Sequence, residues 1–268
     1  MFKTFLFGVS SIWKHRELIR QLIRREIDLR YSGSFLGIVW SFINPLAMLL
    51  VYAFVFGSVF GARWGGGAAN EDYTVLLFTG MLFHGLFAEC LGKATTLIVS
   101  NSNYVKKVIF PLEILVWTTI GAALFHFMTG LIVLSGIQIF LNGEIKWTIV
   151  FLPLIVFPFV IFLAGLSWTV AALGVYFRDV SQMINMVISV MMFLSPVFYS
   201  VESVPERYRQ YMLANPLTLV IEQARAVLVY GAFPDWGAVA IIYCIGVVTG
   251  VCGLWFFNKT RKGFGDVL

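Results

Sequence analysis

FLGIVWSFINPLAMLLVYAFVFGSVFGA, residues 35–62, runs for 28 positions without an Asp, Glu, Lys or Arg. A helix rising 1.5 Å per residue crosses the hydrocarbon core of a bilayer in about 20 residues. This stretch therefore reads as a membrane span, with Asn44-Pro45 a few turns in as a candidate kink. Outward from it the pattern repeats. Further apolar runs occupy 75–99 (interrupted by Glu89 and Lys93), 114–141, 147–177, 180–201 and 236–257. The reading is an all-α integral membrane protein of six spans, forming a single transmembrane domain over 1–268.

Composition agrees. Apolar residues make up 59% of the 268 and charged residues 12%, with mean hydropathy +0.87. A soluble domain carries about 25% charge, so a water-facing surface cannot be made from this supply. Cys90, Cys244 and Cys252 fall inside apolar runs without Cys-x-x-Cys spacing and read as small packing residues. Met1 to Trp13 holds too short an apolar run for a signal peptide.

The long charged segment is 10–30, SSIWKHRELIRQLIRREIDLR. Ile12, Ile19, Leu22, Ile23 and Ile27 recur at helical spacing, opposite Lys14, Glu17, Arg20, Gln21, Arg24 and Asp28. That is an amphipathic helix lying in the membrane interface, with membrane lipid as its partner. Trp13, Arg16, Arg20, Arg24 and Arg25 are its interface residues.

Between the fifth and last spans, 202–235 is punctuated by Pro205, Asn215-Pro216 and Gly231. The helical piece 217–230 is too short to cross and reads as re-entrant or interfacial. Non-helical backbone at that depth must be covered by protein or line a wet cavity, which suits a gate.

Orientation follows the basic residues. With six spans, thirteen Lys and Arg lie on the side of the N-terminus and five on the other, Lys93 being inside a span. Both termini are expected in the cytoplasm. The net charge of +5 is thus a topology signal, and nucleic acid is not an expected partner.

No Gly-x-x-x-x-Gly-Lys-[Ser/Thr] occurs, so the chain is not expected to hydrolyse ATP. Glu89 is the lone acid within a span, and Lys93 follows at i+4, an order that pairs well on a helix. The two read first as a self-neutralised structural pair, with a polar site facing a conduit as the alternative. His84 and His126 lack the clustering of a metal or proton site, and no metal is expected. Trp40, Asn44, Met48, Tyr52, Phe56 and Phe60 follow at four-residue intervals. Such a stripe can stack on the C–H faces of sugars, or simply pack against lipid and other helices. Gly57-x-x-x-Gly61 and Gly246-x-x-x-Gly250 permit close helix approach, a weak dimer signal. The loop 101–111, NSNYVKKVIFP, is short, basic and apolar in part, suited to plugging into a groove on another protein.

Leu29 to Phe56 (LRYSGSFLGIVWSFINPLAMLLVYAFVF) resembles the first-span signature of ABC transporter permeases that export O-antigen, capsule and teichoic acid polysaccharides. NSNYVKKVIFPLEIL (101–115), YFRDV (176–180), SPVFY (195–199) and NPLTLVIEQAR (215–225) resemble the same family in the same order. The resemblance implies a homodimer joined to two separate ATP-binding cassette subunits, which bind ATP and Mg; no cofactor is expected in this chain. It implies a coupling helix over 102–110, with Asn103, Tyr104, Val105, Lys106, Lys107, Val108, Phe110 and Pro111 docking on the ATPase. Gate helices over 202–232 would act on the outer side with Pro196, Tyr199, Asn215, Pro216, Glu222 and Arg225. Trp40, Asn44, Tyr52, Phe56 and Phe60 are candidate conduit residues from the stripe. The expected cargo is an undecaprenyl-linked polysaccharide, foremost O-antigen, moved across a bacterial inner membrane. The alternatives are a drug or small-lipid exporter permease, and an integral lipid-linked sugar transferase. The last needs clustered interfacial acids, whereas Glu17, Glu26, Asp28, Glu113, Asp179 and Asp266 are scattered.

Overall fold

The computed structural model describes residues 13–59, 64, 70–105 and 110–268, and every regular element among them is helical. Among the described residues, five helices are long and apolar enough to cross a membrane: Gly37–Val59, Tyr73–Ala94, Ile114–Leu141, Trp147–Tyr176 and Trp236–Val267. The chain is a multi-pass membrane protein.

Helix α1 is Arg16–Tyr31. A short 3₁₀ turn, Gly37–Val39, leads into α2, Trp40–Tyr52, which contains Pro45 and widens into a π-helical segment at Ala53–Val59. Helix α3 is Asn70–Ala94, followed by the short α4, Leu97–Ser100, and α5, Ser102–Val105. Helix α6 is Ile114–Asn142, ended by Gly143 in the left-handed region at φ 74°, where glycine carries no Cβ penalty. Helix α7 is Leu152–Tyr176, started by Pro153 in its first turn. Helix α8 is Val180–Leu194, α9 Glu206–Leu213, α10 Pro216–Leu228, α11 Trp236–Thr260 and α12 Phe264–Val267.

Several boundaries differ from the sequence reading, each for a local reason. The run at 180–201 is helical only to Leu194, giving 15 residues, about 22 Å of helix. Ser195 precedes Pro196 and is extended at φ −106°, ψ 151°, as the proline ring demands of its predecessor. The run at 75–99 starts earlier, at Asn70, and stops at Ala94; the Thr95 hydroxyl bonds back to the Gly92 carbonyl at 2.8 Å, competing with the helix ladder. The last helix outruns 257, because Lys259 and Thr260 extend it and Phe264 is then fully buried behind Phe257 and Tyr176. Of the expected coupling helix 102–110, Ser102–Val105 is helical and Phe110 is not in a helix, while 106–109 lie outside the described residues. Phe60, Lys106, Lys107 and Val108 lie outside the described residues.

The core forms around α3, the most enclosed span. Phe83 packs edge-on against Phe127 of α6 at 5.0 Å and tilted against Phe159 of α7 at 6.0 Å. Helices α7 and α11 touch backbone to backbone. A Cβ on Gly165 would collide with the main chain of Thr249 and Gly250, one on Gly253 with the main chain of Gly165, and one on Gly246 would lie 2.5 Å from the Pro158 carbonyl oxygen. The Gly246-x-x-x-Gly250 motif therefore serves packing within one chain. Gly57, by contrast, faces nothing within 4 Å. The first span is nearly unenclosed: Leu46, Met48, Leu50, Val51 and Phe54 are all exposed on the isolated chain.

Candidate functional site

The segment before the last span satisfies its own backbone. Helix α10 leaves orphan carbonyls at its C-terminal end, and four of them are met. The Arg225 carbonyl accepts from Val229 and Tyr230, and the Ala226 carbonyl from Ala232. The Thr148 hydroxyl donates to the Val227 carbonyl at 2.5 Å, and the Gln138 amide donates to the Leu228 carbonyl at 2.7 Å. At the other end, the Asn215 side chain accepts from the Leu217 N–H at 3.0 Å while its amide donates to the Ser195 hydroxyl at 3.0 Å. A short helix with both ends closed by its own protein can sit at a depth where water is absent.

Arg225 fastens this helix to its surroundings and is fully buried. Its Nε donates to the Leu76 carbonyl of α3 at 3.0 Å, and Nη2 to the Val197 carbonyl at 3.2 Å. Nη1 pairs with Glu222 at 2.9 Å, and the guanidinium lies 4.2 Å from the Trp64 ring centroid. Room for the planar head exists because position 80 is glycine. A Cβ there would stand 2.9 Å from Nη2 and 3.1 Å from the Val197 Cα.

Aromatic rings gather beside this anchor. Phe56 lies 6.3 Å from Tyr52, 6.1 Å from Tyr73 and 5.6 Å from Phe198, the last pair stacked. Trp64 meets Tyr73 edge-on at 5.6 Å, and the Tyr73 hydroxyl donates to the Phe198 carbonyl at 2.9 Å. The sequence stripe thus divides. Tyr52 and Phe56 are half-buried in this cluster, while Trp40 and Asn44 are exposed. Of the expected gate residues, Tyr199 is tied to α8, its hydroxyl donating to the Phe193 carbonyl at 2.5 Å. Pro196 follows the end of α8 and precedes Val197, whose carbonyl accepts from Arg225.

At the other end, Tyr104 stacks on Phe110 with centroids 4.3 Å apart and planes 12° from parallel, and accepts a hydrogen bond from Arg25 at 3.4 Å. Asn103 and Val105 flank Tyr104 in α5, and Pro111 follows Phe110. Two residues further on, Glu113 is buried, pairs with Arg261 of the tail at 3.0 Å, and accepts the Trp168 indole N–H on its carbonyl at 3.1 Å. Of the interface residues on or near α1, Trp13, Arg16, Arg20, Arg24 and Arg25 are all exposed, Arg24 lying 3.9 Å from Asp28. The apolar edge turns inward: Ile19 is buried and Ile23 fills the space above Gly121 of α6. Burial pushes the Tyr31 phenol up, with the neighbouring Arg30 opposing that shift.

Between α1, α3 and α6 lies an ion cluster that linear spacing could not show. Glu89 contacts Arg30 at 2.5 Å, His126 Nδ1 at 2.9 Å and Lys93 at 3.2 Å, and Lys93 also pairs with Glu26 at 2.7 Å. The Glu89–Lys93 pair expected from sequence is present, but as part of a larger set. His126, expected to stand apart from other ionisable groups, is a member of it. Its Nε2 is buried without a partner among the described residues. No group of three potential metal ligands occurs among the described residues.

Comparison with known proteins gives the chain its relatives. The profile described as "ABC-2 type transporter" matches residues 17–229. An O-antigen export system permease protein RfbA of Klebsiella pneumoniae is 27% identical over 94% of this chain and 95% of its own length. The protein of that name from Myxococcus xanthus is 26% identical over 96% and 98%. The polysialic acid transport protein KpsM of Escherichia coli is 22% identical over 91% and 93%.

Proposed function

The chain belongs to the ABC-2 type transporter family, and on that footing we propose that it is the membrane-spanning permease subunit of an ATP-driven exporter of undecaprenyl-linked polysaccharide, foremost O-antigen. The observation that supports this most is its end-to-end similarity to proteins named as O-antigen export permeases, with 94% and 95% of the two chains aligned. The drug or small-lipid reading is not favoured, because those full-length relatives carry polysaccharide-export names.

In this reading two copies form the conduit, placing the unenclosed face of α2 against a partner copy, and two ATP-binding cassette subunits supply the force. The stacked Tyr104–Phe110 pair, with Lys106 and Lys107, forms the docking knob for the ATPase. Tyr52 and Phe56, with Phe60, face the cargo, Trp40 and Asn44 lie nearer the cytoplasmic mouth, and α9–α10 form the outer gate anchored by Asn215, Pro216 and Arg225. Helix α8 makes a sixth crossing together with 195–201, α1 lies in the cytoplasmic headgroup layer, and both termini are cytoplasmic in the inner membrane. A clean deletion tests the function. Lipid-linked glycan should accumulate on the cytoplasmic face and surface glycan should vanish; undiminished surface glycan refutes it.

A further inference from the structure

Two hollows run along one side of α1, at the level where the apolar spans begin. The first, about 280 Å³, has Arg25, Glu26 and Lys93 on its polar side and Leu22, Leu29 and Leu115 on its apolar side. The second, about 780 Å³ and more open, shares Glu26, Leu29 and Lys93 and adds Arg30 and Glu89. The Glu26–Lys93 pair, 2.7 Å long, is therefore a crossbar between the two halves of one groove. We propose that this groove seats the headgroup of an anionic glycerophospholipid. Arg25 and Lys93 take the phosphodiester, and the acyl chains leave along Leu22, Leu29 and Leu115.

Charge selects this occupant. Three cations, Arg25, Arg30 and Lys93, face two carboxylates, Glu26 and Glu89, which leaves one positive charge for a monoanion. A diphosphate brings at least two negative charges toward those carboxylates. A choline headgroup brings its own cation beside the arginines. Basic pockets between helices on the cytoplasmic side are where anionic headgroups are held. An amphipathic helix with its leucines against the spans sets the needed mixed lining at headgroup depth. Lys93 has a donor to spare beyond its two carboxylates, and Arg25 spends one nitrogen on Tyr104.

The test is lipid retention by the purified full-length protein, read by native mass spectrometry after equilibration with phosphatidylglycerol, phosphatidylcholine or undecaprenyl diphosphate. Phosphatidylglycerol should be retained in preference to phosphatidylcholine, and its retention, unlike that of undecaprenyl diphosphate, should depend on Arg25 and Lys93. Each basic group at a lipid surface is worth about fivefold, so R25Q with K93Q should lower retention about thirtyfold. E26Q, which frees Lys93 from its competitor, should raise it about fivefold. That opposite sign separates a lipid site from general damage to the fold. Phosphatidylglycerol retention unchanged in the double variant, retention lowered by E26Q, or a loss of undecaprenyl diphosphate in the double variant as large as the loss of phosphatidylglycerol overturns the proposal.

Discussion

Replacing Arg225 by methionine should be among the most damaging single changes in the chain. The new side chain is unbranched, shorter and without a donor, so the Leu76 and Val197 carbonyls lose their guanidinium bonds inside the protein. Each such loss costs about 1–3 kcal/mol. The ring face of Trp64 at 4.2 Å loses a desolvated cation worth up to about 2 kcal/mol. Glu222 is a third exposed, so water takes over its unpaired carboxylate and that pair contributes under about 1 kcal/mol. Relief of the burial penalty on the guanidinium offsets part of the loss. A net destabilisation of about 3–5 kcal/mol results, the range found when one member of a buried polar set is removed. Thermal unfolding of the purified protein, followed by tryptophan fluorescence, should show a midpoint lower by roughly 10 °C. The E222Q variant should move it by under a third as much. R225K should fall between, since an ammonium on one stem cannot reach two carbonyls and a carboxylate together. Equal losses in E222Q and R225M would mean that the ion pair holds the helix, and the backbone-anchor reasoning would be wrong.

Gly80→Ala acts on the same anchor from the opposite side. Its Cβ would lie 2.9 Å from Arg225 Nη2, and about 1–3 kcal/mol of stability should go with it, measured in the same melt. Gly165→Val drives a side chain into the Thr249 backbone and should abolish a monodisperse size-exclusion peak, whereas Gly57→Val, with open space around it, should leave the melt of a protomer unchanged. Phe110→Ala removes a stack worth about 0.5–1.5 kcal/mol and should reduce co-purification of the ATPase up to about tenfold; undiminished co-purification would reject the docking assignment. Tyr52→Ala with Phe56→Ala should slow surface glycan appearance in pulse labelling without changing the amount of assembled complex.

The span pattern was legible because the bilayer demands long apolar runs and little else. Residues 114–141 and 147–177 could hardly be anything but helices, and the structure keeps them. The short α8 was less legible. Hydropathy continues through Pro196 to Val201, but backbone sterics stop the helix at Leu194, and a composition window is blind to a single dihedral. Arg225 was picked out through the resemblance over 215–225, yet its partners are the carbonyls of Leu76 and Val197. Carbonyls exist at every residue and leave no trace in a sequence. The same holds for the ion cluster: Glu89 and Lys93 announce themselves at i,i+4, while Glu26, Arg30 and His126 come from other helices. Only packing brings them together.

How α9–α10 can move follows from their bonds. Swinging α10 away by itself would break the links of Arg225 to Leu76 and Val197, of Thr148 to Val227 and of Gln138 to Leu228. At about 1–3 kcal/mol per lost buried bond, the four together cost about 4–12 kcal/mol, comparable with or above the roughly 5.5 kcal/mol needed to invert a two-state equilibrium from 99:1 to 1:99. Water entering behind a displaced α10 would recover part of this, but only after the bonds have parted. The lower-energy motion keeps α10 clamped to α3 at Leu76, to Thr148 just before α7, to the far end of α6 and to the 195–198 turn, and moves them together against α2. Helix α2 is where little opposes sliding, since its outward face is unenclosed and its contacts with this block include the Phe56 rings stacked and tilted on Phe198 and Tyr73. Stacked rings can slide past one another without leaving a donor or acceptor unmet, whereas the buried hydrogen bonds on the other side cannot.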